Sequence, residues 1–185
     1  MKLLAFAASL RAGSFNRKLI AIAVAAAREA GVAVDHADFH EFHMPIYDAD
    51  LQAREGFPPG ADQLARRVGA ADGLLLSSPE YNFSIPGTIK NAIDWVSRMR
   101  PMPFRGKSCL LLSASSAQVG GVRGLWQLRI PLECLGVLVY PDMYTLPWAD
   151  KAFDESGALR EPERHDRLKT MVQNYLAMAR KLHSA

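Results

Sequence analysis

Leu3-Leu4-Ala5-Phe6-Ala7-Ala8-Ser9-Leu10-Arg11-Ala12-Gly13-Ser14-Phe15-Asn16 decides how this chain folds. An apolar run stops at Ala8 and a polar loop follows. Beyond the loop, Leu19, Ile22, Ala23, Ala26 and Ala30 recur at helical spacing until Gly31. An uninterrupted apolar run suits a strand buried on both faces. The loop therefore lies between a strand end and a helix start. In an open parallel sheet, that is where ligands bind.

The same grammar returns about seventy residues later. Leu74 to Leu76 is a second apolar run, and Ser78-Pro79-Glu80-Tyr81-Asn82 follows it. Further strands are expected at 32–38, 107–113 and 137–140, and helices at 61–70, 86–98 and 121–135. Pro86 suits the first turn of its helix, where a missing N–H costs nothing. Residues 39–59 read as loop, because Pro45, Gly56, Pro58 and Pro59 interrupt them. Near the end, Leu168, Met171, Val172, Tyr175, Leu176, Ala179 and Leu182 form one helical stripe.

Five strands alternating with helices imply parallel pairing through right-handed crossovers. At this length they fit a flavodoxin-like α/β three-layer sandwich, with a five-stranded parallel sheet of order 2-1-3-4-5. Strands 1 and 3 then flank the switch point, and the two marked segments follow those strands.

Length and composition agree. The 185 residues fit one domain, 1–185, with 49% hydrophobic and 22% charged residues. A net charge of +3 with scattered Lys and Arg does not mark a nucleic-acid binder. No apolar run approaches the roughly 18 residues of a membrane span. The run after Lys2 is too short for a signal peptide, and Arg11 closes it. Cys109 and Cys134 lack the spacing of a zinc or redox pair, so both are expected as buried reduced thiols in a cytoplasmic protein.

The first loop has the parts of a phosphate grip. A helix N-terminus offers unpaired N–H groups and partial positive charge. Ser9 and Ser14 add hydroxyls, Asn16 an amide, and Arg11 a permanent charge in a forked geometry. Neither G-x-x-x-x-G-K-[ST] nor G-x-G-x-x-G is present, which argues against a nucleoside triphosphate or a tightly held dinucleotide. Read alone, Ser14 is equally an ordinary cap and Arg11 a solvated side chain. In the second segment, Glu80, Tyr81 and Asn82 bring N–H groups that no helix claims, and Tyr81 can pack beside a flat ring. Read alone, Tyr81 is equally a core aromatic and Asn82 a turn former. A third loop, residues 113–121, is rich in small residues and ends in Gly120-Gly121.

Taken together, S-L-R-x-x-S-x-N at 9–16, S-P-E-Y-N at 78–82 and P-G-x-x-K-N-A-I-D-W at 86–95 resemble the NADPH-dependent FMN reductase family. This family includes quinone, chromate and azo-dye reductases, and the resemblance covers nearly the whole chain. The segment Met44-Pro45-Ile46-Tyr47-Asp48-Ala49-Asp50 also resembles the family's loop before its second helix. The resemblance implies FMN as cofactor and NADPH or NADH as donor. It implies that Ser9, Arg11, Ser14, Phe15 and Asn16 hold the FMN phosphate. It places Pro79, Glu80, Tyr81, Asn82 and Ser115 around the flavin ring. It also implies a homodimer or homotetramer, with contacts near helices 86–98 and 121–135. Two positions depart from the family pattern: Ala8 replaces Gly before the first Ser, and Ser115-Ser116-Ala117 replaces S-P-G.

The implied reaction moves hydride from the nicotinamide to flavin and then to a quinone, flavin, azo compound or metal oxyanion. No catalytic side chain is expected, because the cofactor carries the chemistry. No metal is expected either. His36, His40 and His43 lie among Asp35, Asp38 and Glu41 but match no ligand spacing. Trp95, Trp126 and Trp148 are expected as packing residues. The absence of a G-x-S-x-G elbow argues against a hydrolase. The alternatives are a flavodoxin-type electron carrier without its own substrate turnover, and a non-catalytic flavin or nucleotide sensor. Flavodoxins tend to be acidic and use a Thr/Ser-rich phosphate loop, unlike this basic chain with Arg11.

Overall fold

Apolar runs covered on both sides form the centre of the sheet. The structure, a computed structural model, describes residues 1–183, so the last two residues of the expected domain lie outside the described residues. In chain order the elements are β1 (Lys2–Ala7), α1 (Phe15–Glu29), β2 (Ala33–His36), a 3₁₀ turn (Phe39–Phe42), α2 (Ala49–Glu55), α3 (Pro59–Gly69) and β3 (Gly73–Ser77). There follow α4 (Gly87–Val96), β4 (Ser108–Ala114), α5 (Val122–Cys134), β5 (Leu138–Val139), β6 (Tyr144–Leu146), α6 (Ala149–Ala152) and α7 (Pro162–His183).

The sheet is parallel, and its order β2-β1-β3-β4-β5 is the expected one. Successive strand side chains face opposite layers. Leu3, Ala5, Leu75, Leu110 and Leu112 face one core with residues of α1 and α7. Leu4, Phe6, Leu74, Leu76, Cys109 and Leu111 face the other, with residues of α3, α4 and α5. Every residue of β3 and β4 is buried.

The fifth sheet position differs from expectation. Two short strands share it. β5 pairs Leu138 and Val139 with Ser108 and Cys109, whereas β6 pairs Tyr144–Leu146 with Leu112–Ala114. Pro141 separates them, and proline has no N–H to continue a ladder.

Residues 39–59 also hold more structure than their prolines implied. Asp38 and Glu41 form a reciprocal capping box on the 3₁₀ turn. Asp48 accepts the N–H groups of Asp50 and Leu51 to start α2. α2 buries no residue, so it carries no apolar stripe to read.

α7 buries Leu168, Val172, Tyr175, Leu176 and Ala179 as its stripe predicts, while Leu182 stays exposed. The Tyr175 hydroxyl and Ser108 Oγ lie 3.0 Å apart in the core. A Cβ on Gly73 would come within 2.5 Å of both oxygens, so β3 begins with glycine for lack of space.

Two packing expectations need correction. Cys109 is buried, and desolvation pushes its thiol far up, but Cys134 is exposed in the last turn of α5. Trp95 is fully buried, whereas Trp126 and Trp148 are 57% and 48% exposed. Cys134 and Trp126 lie on exposed positions of α5, and Trp148 at the start of α6 is half exposed. Among the described residues, no helix is long and apolar enough to cross a membrane.

Candidate functional site

The loops after β1, β3 and β4 meet at the carboxyl edge of the sheet. Together they enclose a cleft of about 170 Å³. Its lining includes Ser9, Arg11, Ser14, Phe15, Asn16, Pro79, Glu80, Tyr81 and Ser115. Of the residues singled out from sequence, Asn82 alone stands outside the lining. Ala114 and Ser116 also belong to it. Both fall within the small-residue third loop, where the family resemblance singles out Ser115 alone.

The first loop brings two serines and an arginine to the cleft. Ser9 and Ser14 are buried. Ser14 occupies the cap position of α1 in an extended conformation, yet its hydroxyl makes no cap bond. Its carbonyl accepts the N–H groups of Arg17 and Lys18. The N–H groups of Phe15 and Asn16 open the helix and have no intrahelical acceptor. Arg11 is exposed, and no ion pair engages it among the described residues. The Phe15 ring stacks on Phe153 at 6.1 Å.

Asn16 is placed differently from its reading as a phosphate contact. It is 3% exposed. Its Nδ2 donates to the Ala114 carbonyl at 2.9 Å, and its Oδ1 accepts from Ser77 Oγ at 2.8 Å and from the Ala114 N–H at 3.0 Å.

The second loop is a tight hairpin held by α5. Tyr81 and Ser84 exchange both backbone hydrogen bonds, at 3.0 and 2.9 Å. Asn82 and Phe83 between them have φ of 50° and 63°, the signature of a type I′ turn. A left-handed Phe is strained, and such strain collects at functional sites. Tyr81 therefore does not offer a free N–H, contrary to the sequence reading. No acceptor pairs with the N–H of Glu80 or Asn82 among the described residues.

From α5, Gln127 accepts from Ser84 Oγ at 2.6 Å and donates to the Phe83 carbonyl at 3.1 Å. Arg123 stacks over the Phe83 ring at 4.5 Å. The Glu80 carboxylate is 7% exposed and lies 3.6 Å from Arg123. It accepts the Gly124 N–H at 3.0 Å. That carboxylate caps α5 rather than facing a ligand.

The third loop is anchored on β6 and α6. The Ser115 N–H donates to Leu146, and its carbonyl accepts from Ala149. The Ser115 hydroxyl accepts from the Ala117 N–H at 3.2 Å and keeps its own proton to give. Ala117 is not among the residues of positive φ, so replacing the family's glycine there costs no strain. Gly121 has φ of 87°, and a Cβ on it would collide with the buried Ser113 Oγ. That Oγ is the one buried side-chain polar atom without a partner among the described residues.

The histidine-rich segment is an ion-pair network. Arg67 binds Asp35 at 2.6 Å and Glu41 at 2.8 Å, and Arg17 binds Asp38 at 2.6 Å. His40 Nδ1 lies 2.9 Å from Asp38, which holds that carboxyl below its usual range. Partial burial, then the charges of Arg28 and Arg17, push the His36 imidazole down. Beyond this network, Asn91 and Trp95 of α4 both donate to the Pro45 carbonyl, and Asn91 accepts the Tyr47 N–H. These bonds fix the 44–50 segment against α4.

The strand order, with the cleft at the ends of β1, β3 and β4, defines a flavodoxin-like protein. The family model for NADPH-dependent FMN reductase matches residues 1–150, and the chain belongs to that family. It is 35% identical over 184 residues to the NAD(P)H-dependent FMN reductase PA1204 of Pseudomonas aeruginosa, covering 98% of this chain and 97% of that protein. It is 43% identical over 135 residues to a quinone reductase of Escherichia coli, covering 71% and 69%. Among solved structures, the flavoenzyme NAD(P)H:(acceptor) oxidoreductase FerB of Paracoccus denitrificans superposes with a TM-score of 0.84 at 27% identity, covering 97% of both chains. The chain is accordingly an NAD(P)H-dependent flavin oxidoreductase with FMN as its cofactor.

Proposed function

We propose that this cleft seats FMN and that the chain passes reducing equivalents from NAD(P)H to quinones and related small acceptors. One observation carries the assignment. The buried hydroxyls of Ser9 and Ser14, the Arg11 guanidinium and the N-terminus of α1 share a single cleft with the hairpin after β3. Hydroxyl donors, a fixed cation and a helix N-terminus are the groups a phosphate dianion uses.

On this reading Ser9 and Ser14 give hydroxyl bonds to the phosphate and Arg11 gives charge. Phe15 and Asn16 give main-chain N–H groups. Pro79, Glu80, Tyr81 and Asn82 line the ring, Glu80 and Asn82 through N–H and Tyr81 through its exposed side chain. Ser115 donates its hydroxyl from the third loop. FMN supplies the two-electron chemistry, and the protein supplies seat and access. Nothing in hydride transfer calls for a side-chain acid or base, so no residue is assigned a catalytic role.

The reading extends to the whole molecule. We take residues 1–185 as one FMN-binding domain working in the cytoplasm as a homodimer or homotetramer. The exposed apolar residues Trp126 and Ile130, at 57% and 69%, support α5 as a contact helix.

Anaerobic NADPH added to the FMN-loaded protein is expected to bleach the flavin absorbance, and a quinone to restore it. A protein that stays yellow until a separate reductase is supplied is instead an electron carrier. Failure to take up FMN at all removes the reading.

A further inference from the structure

The Asn16 side chain sits where the β3·β4 ladder should continue. In that parallel pair, Ser77 lies opposite Leu112, and the Ser78 N–H donates to the Leu112 carbonyl at 2.9 Å. The next two ladder bonds would run from the Ala114 N–H to the Ser78 carbonyl, and from the Glu80 N–H to the Ala114 carbonyl. Neither forms. Asn16 Oδ1 takes the Ala114 N–H and Asn16 Nδ2 takes the Ala114 carbonyl. The backbone donor and acceptor of Ala114 fix which amide atom is which, so the pairing permits one orientation. Ser77 Oγ, donating to Oδ1, ties the same amide to the last residue of β3.

We infer that Asn16 is a positioning residue: it closes the β3·β4 ladder in place of the main chain and so releases the Glu80 N–H toward the flavin ring. An amide side chain reproduces the donor and acceptor of a peptide group. Ala114 is buried and would otherwise hold two unpaired polar groups, a costly arrangement. The substitution lets residues 78–80 turn away from β4 without that cost. Asn16 also belongs to the first turn of α1, so one side chain links the phosphate grip, the end of β3 and the third loop. Its role is to hold grip and seat at a fixed spacing rather than to bind phosphate with its amide.

This inference rests on FMN occupying the cleft, and the test separates the two. Dissociation constants for FMN and for riboflavin, which lacks the phosphate, are measured by flavin fluorescence for the wild-type protein, Asn16→Ala, Ser77→Ala and Arg11→Ala. Visible circular dichroism of the flavin-saturated proteins reports the ring environment. Asn16→Ala is expected to weaken both flavins about tenfold, with their ratio held within about twofold, and to change the dichroism. Ser77→Ala removes only the link to β3 and should act in the same direction by about threefold, so it carries the test if Asn16→Ala does not fold. Arg11→Ala should weaken FMN alone.

An Asn16→Ala protein that loses FMN but keeps riboflavin would make Asn16 a phosphate ligand and overturn the inference. So would lowered thermal stability with both affinities and the dichroism unchanged. Wild-type protein that binds neither flavin overturns the underlying assignment instead.

Discussion

Glu80 and Gly124, 44 positions apart, are joined by a hydrogen bond of 3.0 Å from the glycine N–H to a nearly buried carboxylate oxygen. The bond makes Glu80 the cap of α5 and holds its hairpin against that helix. A Cβ on Gly124 would crowd the Glu80 main chain at 3.3 Å, so the glycine allows the approach.

Replacing the carboxylate tests that link. Glu80→Ala should lower stability by about 1–2 kcal/mol, the usual worth of a helix cap with favourable charge. Glu80→Gln keeps an acceptor for Gly124 and should lose less than half as much. Thermal unfolding of the flavin-free proteins checks the order. Equal losses in the two variants would assign the effect to charge alone.

Ser113 offers the opposite case. Its hydroxyl is buried without a partner among the described residues and fills the space a Cβ on Gly121 would need. Ser113→Ala removes a desolvated polar group and should raise stability by about 1 kcal/mol. Urea unfolding at neutral pH measures the change. A loss of similar size would mean that the hydroxyl is satisfied in solution.

His36 makes stability depend on pH. Its folded pKa is lowered, first by burial and then by Arg28 and Arg17. Below the ordinary histidine value of about 6.5, the unfolded chain therefore takes up a proton that the folded chain resists. The contribution of this group is complete above that value and declines as pH falls from it toward the folded pKa. Asp38, held low by His40, acts in a more acidic window and leaves this one untouched. Urea midpoints compared at about pH 7.5 and 5.5 should fall more for the wild-type protein than for His36→Gln.

The parts of this architecture that come from buried periodicity were readable in advance. Leu3–Ala8, Leu74–Leu76 and the stripe from Leu168 fixed strands and helix because apolar burial leaves a pattern. α2 buries nothing and leaves none. β6 has only Tyr144, Thr145 and Leu146 and derives its strand state from Ala114 and its neighbours, which no local signal records. The cleft was legible as a set of residue types, because serine, arginine and asparagine beside a helix start have few physical uses. Their division of labour was not. The Asn16 amide looks like a ligand group in sequence, but it meets the backbone of Ala114, 98 positions away, and nothing local pairs the Glu80 carboxylate with Gly124, 44 positions on. Only the folded chain decides which polar side chains are already spent.

The broken fifth strand divides the far margin of the sheet into two short seams on β4. The seam through Leu138 and Val139 closes the floor of the molecule, while the one through Tyr144–Leu146 steadies the rim beside Ser115. Between them, residues 141–143 join no strand. Extra length grafted at the exposed Pro141 and Asp142 is expected to loop outward, which gives an attachment point for tags, tethers or whole domains, whereas Met143 packs against the core and has to stay in place.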